Sequence, residues 1–144
     1  MWQRIQTLYL AVSTALMVAM AFSAKAVTVG ADASVIERIS YCSYFPYIIL
    51  IVIAALLDLL ALTTYKFRVF QMRTAGLSAI ITLALQIWLA VDFIATHDVV
   101  VFRLTAVFPI ISIILNVLAM RGILADEMLV ESAYHLRNSK KRKR

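Results

Sequence analysis

Four stretches of the chain, residues 5–24, 39–57, 74–91 and 104–120, contain no Asp, Glu, Lys or Arg. A helix rises 1.5 Å per residue, so about 20 apolar residues cover a hydrocarbon core of ~30 Å. Within lipid only helices or closed barrels satisfy every backbone N–H and C=O. None of the four stretches alternates apolar and polar residues as a barrel strand does. The fold class expected is therefore all-α: an integral membrane four-helix bundle with approximate spans 5–24, 44–65, 74–95 and 104–121. The second and third spans are extended past Asp58 and Asp92, which puts a carboxylate inside each.

Composition excludes the alternatives. The chain is 63% hydrophobic and only 15% charged, with a mean hydropathy of +0.90. Soluble domains run nearer half apolar and a quarter charged. Three Gly and two Pro rule out a low-complexity chain, and 144 residues suffice for one domain. A single cysteine, Cys42, forms no internal disulfide.

Orientation follows from Lys and Arg, which concentrate in the cytoplasmic loops of membrane proteins. Arg4 precedes the first span, Lys66, Arg68 and Arg73 join the second to the third, and Arg121, Arg137 and the run Lys140-Lys141-Arg142-Lys143-Arg144 follow the fourth. Against these stand Lys25, Arg38 and Arg103, diluted by Asp32, Glu37 and Asp98. The expected topology is four crossings with both termini cytoplasmic. Arg4, an apolar core and Ala24-Lys25-Ala26 also fit a cleavable signal peptide, but the apolar run exceeds a usual signal core, which favours a retained helix.

Membrane helices pack through small residues and occasional polar contacts. Ala11, Ala15, Ala19 and Ser23 recur every four residues on one face of the first span, open to another helix of this chain, a second copy or another membrane protein. Ala75, Ala79, Thr82, Gln86 and Ala90 mark the third span, and Thr105, Pro109, Ser112, Asn116 and Ala119 the fourth; these faces are expected to look inward. Pro109 predicts a bend. Tyrosines 41, 44, 47 and 65 and Trp2 read as interfacial anchors.

Ionisable residues within a membrane are costly and often functional. Asp58 shares a face with Ala54 and Ala61, ~10 Å from the inner end of its span. Asn116 lies at similar depth, so the two are expected to meet. With Gln86 they form the candidate intramembrane polar site, read either as a protonatable site or as a carboxyl that joins two helices. Asp92 and Arg103 are expected to form an ion pair at the outer rim. His97 and Asp98 lack a third ligand, so neither a metal nor a cofactor is expected, nor a catalytic group.

Beyond the fourth span, Ala125, Leu129, Ala133 and Leu136 share one face, which predicts a short cytoplasmic amphipathic helix over 123–138. The polybasic tail 139–144 follows. Its Lys140, Lys141, Arg142, Lys143 and Arg144 suit anionic lipid of the cytoplasmic leaflet, at ~1 kcal/mol each near such a surface. Ribosomal RNA is the second reading, because a basic tail binds phosphates without sequence preference. No aromatic residue interrupts the run, so base stacking is not indicated, and no DNA partner is expected.

Three segments carry a resemblance: the opening Met1-Trp2-Gln3-Arg4-Ile5-Gln6-Thr7; the loop Lys66-Phe67-Arg68-Val69-Phe70-Gln71-Met72-Arg73; and the block from Phe108-Pro109 through Asn116, Leu118-Ala119, Arg121, Asp126-Glu127, Leu129-Val130, Ser132-Ala133 and Leu136-Arg137. Together they resemble a domain-of-unknown-function family, number 4293, of four-span inner-membrane proteins from Bacteroidota. The resemblance implies location and topology and brings no activity. Its residues cluster at the cytoplasmic boundary. Arg4, Gln6, Lys66, Arg68, Gln71, Arg73, Asp126 and Glu127 therefore form a candidate docking face, with Asp126 and Glu127 pairing with the loop basics.

With no nucleophile–base pair or phosphate loop, a non-enzymatic accessory or assembly subunit fits best. The alternatives are a small proton- or cation-coupled transporter component using Asp58, and a ribosome- or anionic-lipid-binding factor acting through the tail.

Overall fold

The computed structural model describes the backbone of residues 2–28, 38–64, 67–96 and 100–142, and the side chains of 5–28, 38–64, 67–96 and 100–134. Four helices form: α1 (Trp2–Ala21), α2 (Phe45–Thr63), α3 (Arg68–Thr96) and α4 (Phe108–Arg142). Each packs against its neighbours in sequence, and α4 closes the ring against α1. The chain is a four-helix bundle of up-and-down connectivity.

The interior and exterior are inverted relative to a water-soluble bundle. Leu56, Ile80 and Ile114 are more than half exposed, whereas Ser13, Asp58, Ser78, Thr82, Ser112 and Asn116 are fully buried. Such a surface requires an apolar solvent. Phe45–Thr63, Arg68–Thr96 and Leu104–Tyr134 are long and apolar enough to cross a membrane, while the apolar part of α1, Ile5–Ala21, is shorter. These features fit a membrane protein.

Helix ends differ from the sequence expectations in places. Residues 22–24 leave α1 as a turn and enter a strand. α3 begins six residues before its predicted span, because Arg68 and Arg73 are compatible with a helix that extends beyond the apolar stretch. Pro109 is the second residue of α4 and Pro46 the second of α2. The 3-10 turn Leu104–Val107 runs directly into α4, so Pro109 sits where the tighter turn gives way to the α-helix and its missing N–H is tolerated. The separate helix predicted over 123–138 is instead the continuation of α4, which runs for 35 residues or ~52 Å. No Gly or Pro falls after Gly122 to stop it.

A three-stranded antiparallel sheet, not anticipated from sequence, caps the end where α1 and α3 finish. It consists of β1 (Ala24–Thr28), β2 (Arg38–Ser40) and β3 (Val100–Phe102), in the order β2-β1-β3. Ala24 pairs with Ser40 but Ala26 with Ile39, so Lys25 is an extra residue opposite the β2 ladder. Such bulges re-aim a side chain. Lys25 turns into the bundle end, 12% exposed, and pairs with Asp92 Oδ2.

Candidate functional site

The buried faces of the helices share one layered order. On α1 it runs Leu10, Ser13, Met17; on α2, Ala61, Asp58, Ala54; on α3, Ala75, Ser78, Leu85; on α4, Ala119, Asn116, Ser112. Leu10, Ala61, Ala75 and Ala119 form one apolar cluster, and Met17, Met20, Tyr41, Tyr47, Ile51, Ala54, Leu85 and Leu89 form another. Between them lies a polar layer to which every helix contributes.

Asp58 is its centre. Ser13 Oγ donates to Asp58 Oδ2 at 2.6 Å, and Asn116 Nδ2 donates to Asp58 Oδ1 at 2.9 Å. Ser13 Oγ also shares a hydrogen bond with Ser112 Oγ at 2.6 Å. Asn116 Nδ2 lies 3.2 Å from Ser78 Oγ, which itself donates to the Ala54 carbonyl at 3.3 Å. The three alanines of the adjacent layer let the helices approach closely enough for these short side chains to meet. Interhelical hydrogen bonds in membrane proteins average about 0.6 kcal/mol, whereas an unpaired polar group in hydrocarbon costs several. The layer therefore fixes the register and depth of four helices more than it adds gross stability. Asn116 Oδ1 is buried with no partner among the described residues.

Gln86, expected with Asp58 and Asn116, is not in this layer. It sits two turns beyond Ser78, ~12 Å along α3, and lines a groove with Arg103 near the sheet. The fully buried Thr82 hydroxyl donates to the Ser78 carbonyl and lies between them on the helix. Ser13 and Ser78 were not singled out in the sequence. The inward spacing Gln6, Leu10, Ser13, Met17, Met20 would have found the first, since three- and four-residue steps define one helix face.

The rim pair is also corrected. Asp92 pairs with Lys25 rather than Arg103, and Tyr47 Oη donates to the same carboxylate oxygen at 2.9 Å. Lys25 Nζ lies 4.8 Å from the Tyr47 ring centroid and 5.5 Å from that of Phe102, within cation–π range. Arg103 donates its backbone N–H to the Lys25 carbonyl at 3.0 Å. Its side chain remains exposed, with no ion pair among the described residues. The bulge, rather than proximity in sequence, selects the cation.

Residues 2–136 match a family described as a domain of unknown function, DUF4293. The chain belongs to that family. No curated protein and no solved structure matches it.

At the other end of this DUF4293 bundle, the predicted docking face divides. Gln6 and Gln71 are 5% and 4% exposed, and so belong to the interior. Gln6 Nε2 donates to Asp126 Oδ2 at 3.1 Å, so Asp126 is held by α1. Among the described residues no ion pair joins Asp126 or Glu127 to Arg68 or Arg73, and Lys66, the third basic residue of that loop, lies outside them. Arg68 and Arg73 line a groove with Thr64, Phe67, Val69 and Phe70 at the α2–α3 turn. The side chains of Arg4, Lys66, Lys140, Lys141, Arg142, Lys143 and Arg144 lie outside the described residues, as do His97 and Asp98.

Proposed function

We propose that this is a non-enzymatic accessory or assembly subunit of a bacterial inner membrane, crossing it four times with both termini cytoplasmic. The observation that carries this reading is the placement of Ala11, Ala15 and Ala19. All three lie on the exposed side of α1, while Gln6, Leu10, Ser13, Met17 and Met20 face the bundle. A stripe of small residues turned outward within a membrane is a surface on which another helix packs. The fourth crossing is supported by Ser13, which brings α1 to the level of Asp58. The orientation is supported by the segregation of Lys and Arg to the end that carries both termini.

Closure of the polar layer speaks against conduction and catalysis. Asp58 is 0% exposed, both its oxygens are engaged, and four grooves of the described surface are lined by other residues. Proton- or cation-coupled transport through Asp58 therefore ranks second, and lipid or ribosome capture by the basic tail third.

The test is recovery of the tagged protein from its native membrane in a gentle detergent, beside Ala15→Leu and a chain lacking Lys140 to Arg144. A stoichiometric membrane protein retained by the wild type and lost from Ala15→Leu supports the reading. Recovery of ribosomal proteins that disappear with the tail assigns the third reading instead. If the chain emerges alone with lipid, the accessory reading fails, and proton flux through Asp58→Asn becomes the relevant measurement.

A further inference from the structure

At the end that carries both termini, a groove of about 670 Å³ opens beside the α2–α3 turn, lined by Thr64, Phe67, Arg68, Val69, Phe70 and Arg73. That volume falls within the range of small-molecule sites. Its two cations meet no acid of the chain. Asp126, Glu127 and Glu131 are the acids of this end, and no ion pair joins any of them to Arg68 or Arg73. The side chains of this end outside the described residues, 1–4, 65–66 and 135–144, include no Asp or Glu. Asp32, Glu37 and Asp98 fall next to the strands in sequence, with the ~43 Å length of α3 between the sheet and Arg68. The polybasic tail carries the same sign as the groove and is repelled from it.

The same groove is apolar between its charges. Phe67 is 69% exposed, and Val69 and Phe70 are exposed beside it. The 19 residues of α2 span ~28 Å, close to the thickness of a hydrocarbon core, so the turn that follows falls where acyl chains give way to headgroups. We propose that this groove binds an anionic glycerophospholipid of the leaflet at that end. Its phosphate lies between Arg68 and Arg73, whose planar guanidiniums match a phosphate in charge and in forked hydrogen-bonding geometry. The glycerol and the first methylenes of the acyl chains cover Phe67, Val69 and Phe70.

Other occupants use only part of the groove. A water-soluble anion would pair with the arginines and leave the phenyl rings bare. A zwitterionic lipid would cover the rings but bring its own cation towards the guanidiniums. A second copy, related by an axis along the membrane normal, would set four arginines at one level, where like charges repel. An anionic lipid satisfies both the charge and the apolar wall.

Native mass spectrometry of the detergent-solubilised full chain tests the site, with added phosphatidylglycerol or phosphatidylcholine of identical acyl chains. Phosphatidylglycerol is expected to bind about tenfold more tightly, a difference of ~1.4 kcal/mol. Arg68→Gln with Arg73→Gln should abolish most of that preference. Arg68→Lys with Arg73→Lys should keep part of it, because the charge stays and the fork is lost. Phe67→Ser with Phe70→Ser should weaken both lipids, and Arg103→Gln, at the sheet end, should change nothing. Glycerol 3-phosphate, a headgroup without acyl chains, should not compete at equal concentration. Competition by it would assign the groove to a water-soluble anion and overturn the lipid site. A preference undiminished in the paired Gln variant, or lost on deletion of Lys140 to Arg144 alone, would overturn it by transferring the effect to the tail. Equal binding of the two lipids, or a dimer that excludes both, would overturn it as well.

Discussion

Asn116 reaches Asp58 across the diagonal of the bundle, at 2.9 Å, although α2 and α4 are not packed neighbours. The adjacent pairs α1–α2, α1–α4 and α3–α4 are joined by side chains of the same layer. The diagonal bond thus closes a ring that the neighbouring helices begin. Asp58→Ala leaves Ser13 and Asn116 without their shared acceptor and should lower stability by about 1–3 kcal/mol. In a double-mutant cycle with Asn116→Ala, unfolding in mixed micelles should give a coupling of about 0.5–2 kcal/mol. Additive losses would mean that the two residues act separately.

The Lys25–Asp92 pair is partly buried, with side chains 12% and 26% exposed. Its disruption should fall between the small cost of a surface pair and the larger cost of a buried one, about 1–3 kcal/mol. Lys25→Ala should therefore lower the melting temperature in detergent, and the exchanged pair Lys25→Asp with Asp92→Lys should recover part of the loss. Arg103→Ala should leave it unchanged. A melting temperature that responds to Arg103 instead would show that the bulge does not choose the partner.

Tyr41 opens a single 3-10 turn, Tyr41–Ser43, ahead of α2 and is fully buried against Met17, Met20 and Tyr47. Burial raises its hydroxyl above the ordinary value near 10, against a smaller lowering by the hydrogen bond with Thr105. A raised folded-state pKa means that the native protein holds the proton after the unfolded chain releases it. The stabilisation is complete below about pH 10 and is lost as pH rises through the folded value. The expected result is a fall in stability above pH 10 that is shallower in Tyr41→Phe. Identical alkaline limbs would contradict it.

Gly122 sets the approach of α1 to α4. A β-carbon there would lie 3.0 Å from Gln6 Cγ and 3.1 Å from Gln6 Nε2. Gly122→Ala gains about 1 kcal/mol of helix propensity and displaces Gln6 from Asp126, a loss of similar size. It should be close to neutral by thermal unfolding, whereas Gly122→Leu should destabilise clearly. A Leu variant as stable as the wild type would show that the contact is not tight.

Bulk on the two faces of α1 should act oppositely. Ala15→Leu projects away from the bundle and should change monomer stability by less than about 0.5 kcal/mol. Ser13→Leu removes two hydrogen bonds and overpacks the interior, costing about 1–3 kcal/mol or more. The pair of melting curves separates an exposed stripe from an internal seam.

The helices are legible in the sequence because the absence of charge over about 20 residues is a constraint no other fold relieves. The Asp58–Asn116 contact is legible too, from their depths and from Ala54, Ala61 and Ala119 on the same faces. Ser13 and Ser78 escape notice because a serine in an apolar helix is tolerated wherever it can bond its own backbone. The sheet escapes for another reason. Ala24–Thr28 and Val100–Phe102 are short, and their pairing joins residues far apart in sequence. With the sheet unseen, the bulge at Lys25 was unseen, and Arg103 became the natural partner for Asp92. Gln86 shares a helical stripe with Thr82 but stands too far along it to join Asp58.

The unbroken course of α4 makes the bundle and its projecting end one mechanical body. Over ~52 Å no Pro interrupts the helix after its first turn, and its buried half is clamped by Ser112, Asn116 and Asp126. Rotation or tilt within the bilayer is therefore not absorbed at the boundary. It is carried outward and enlarged, as a mast registers the roll of a hull.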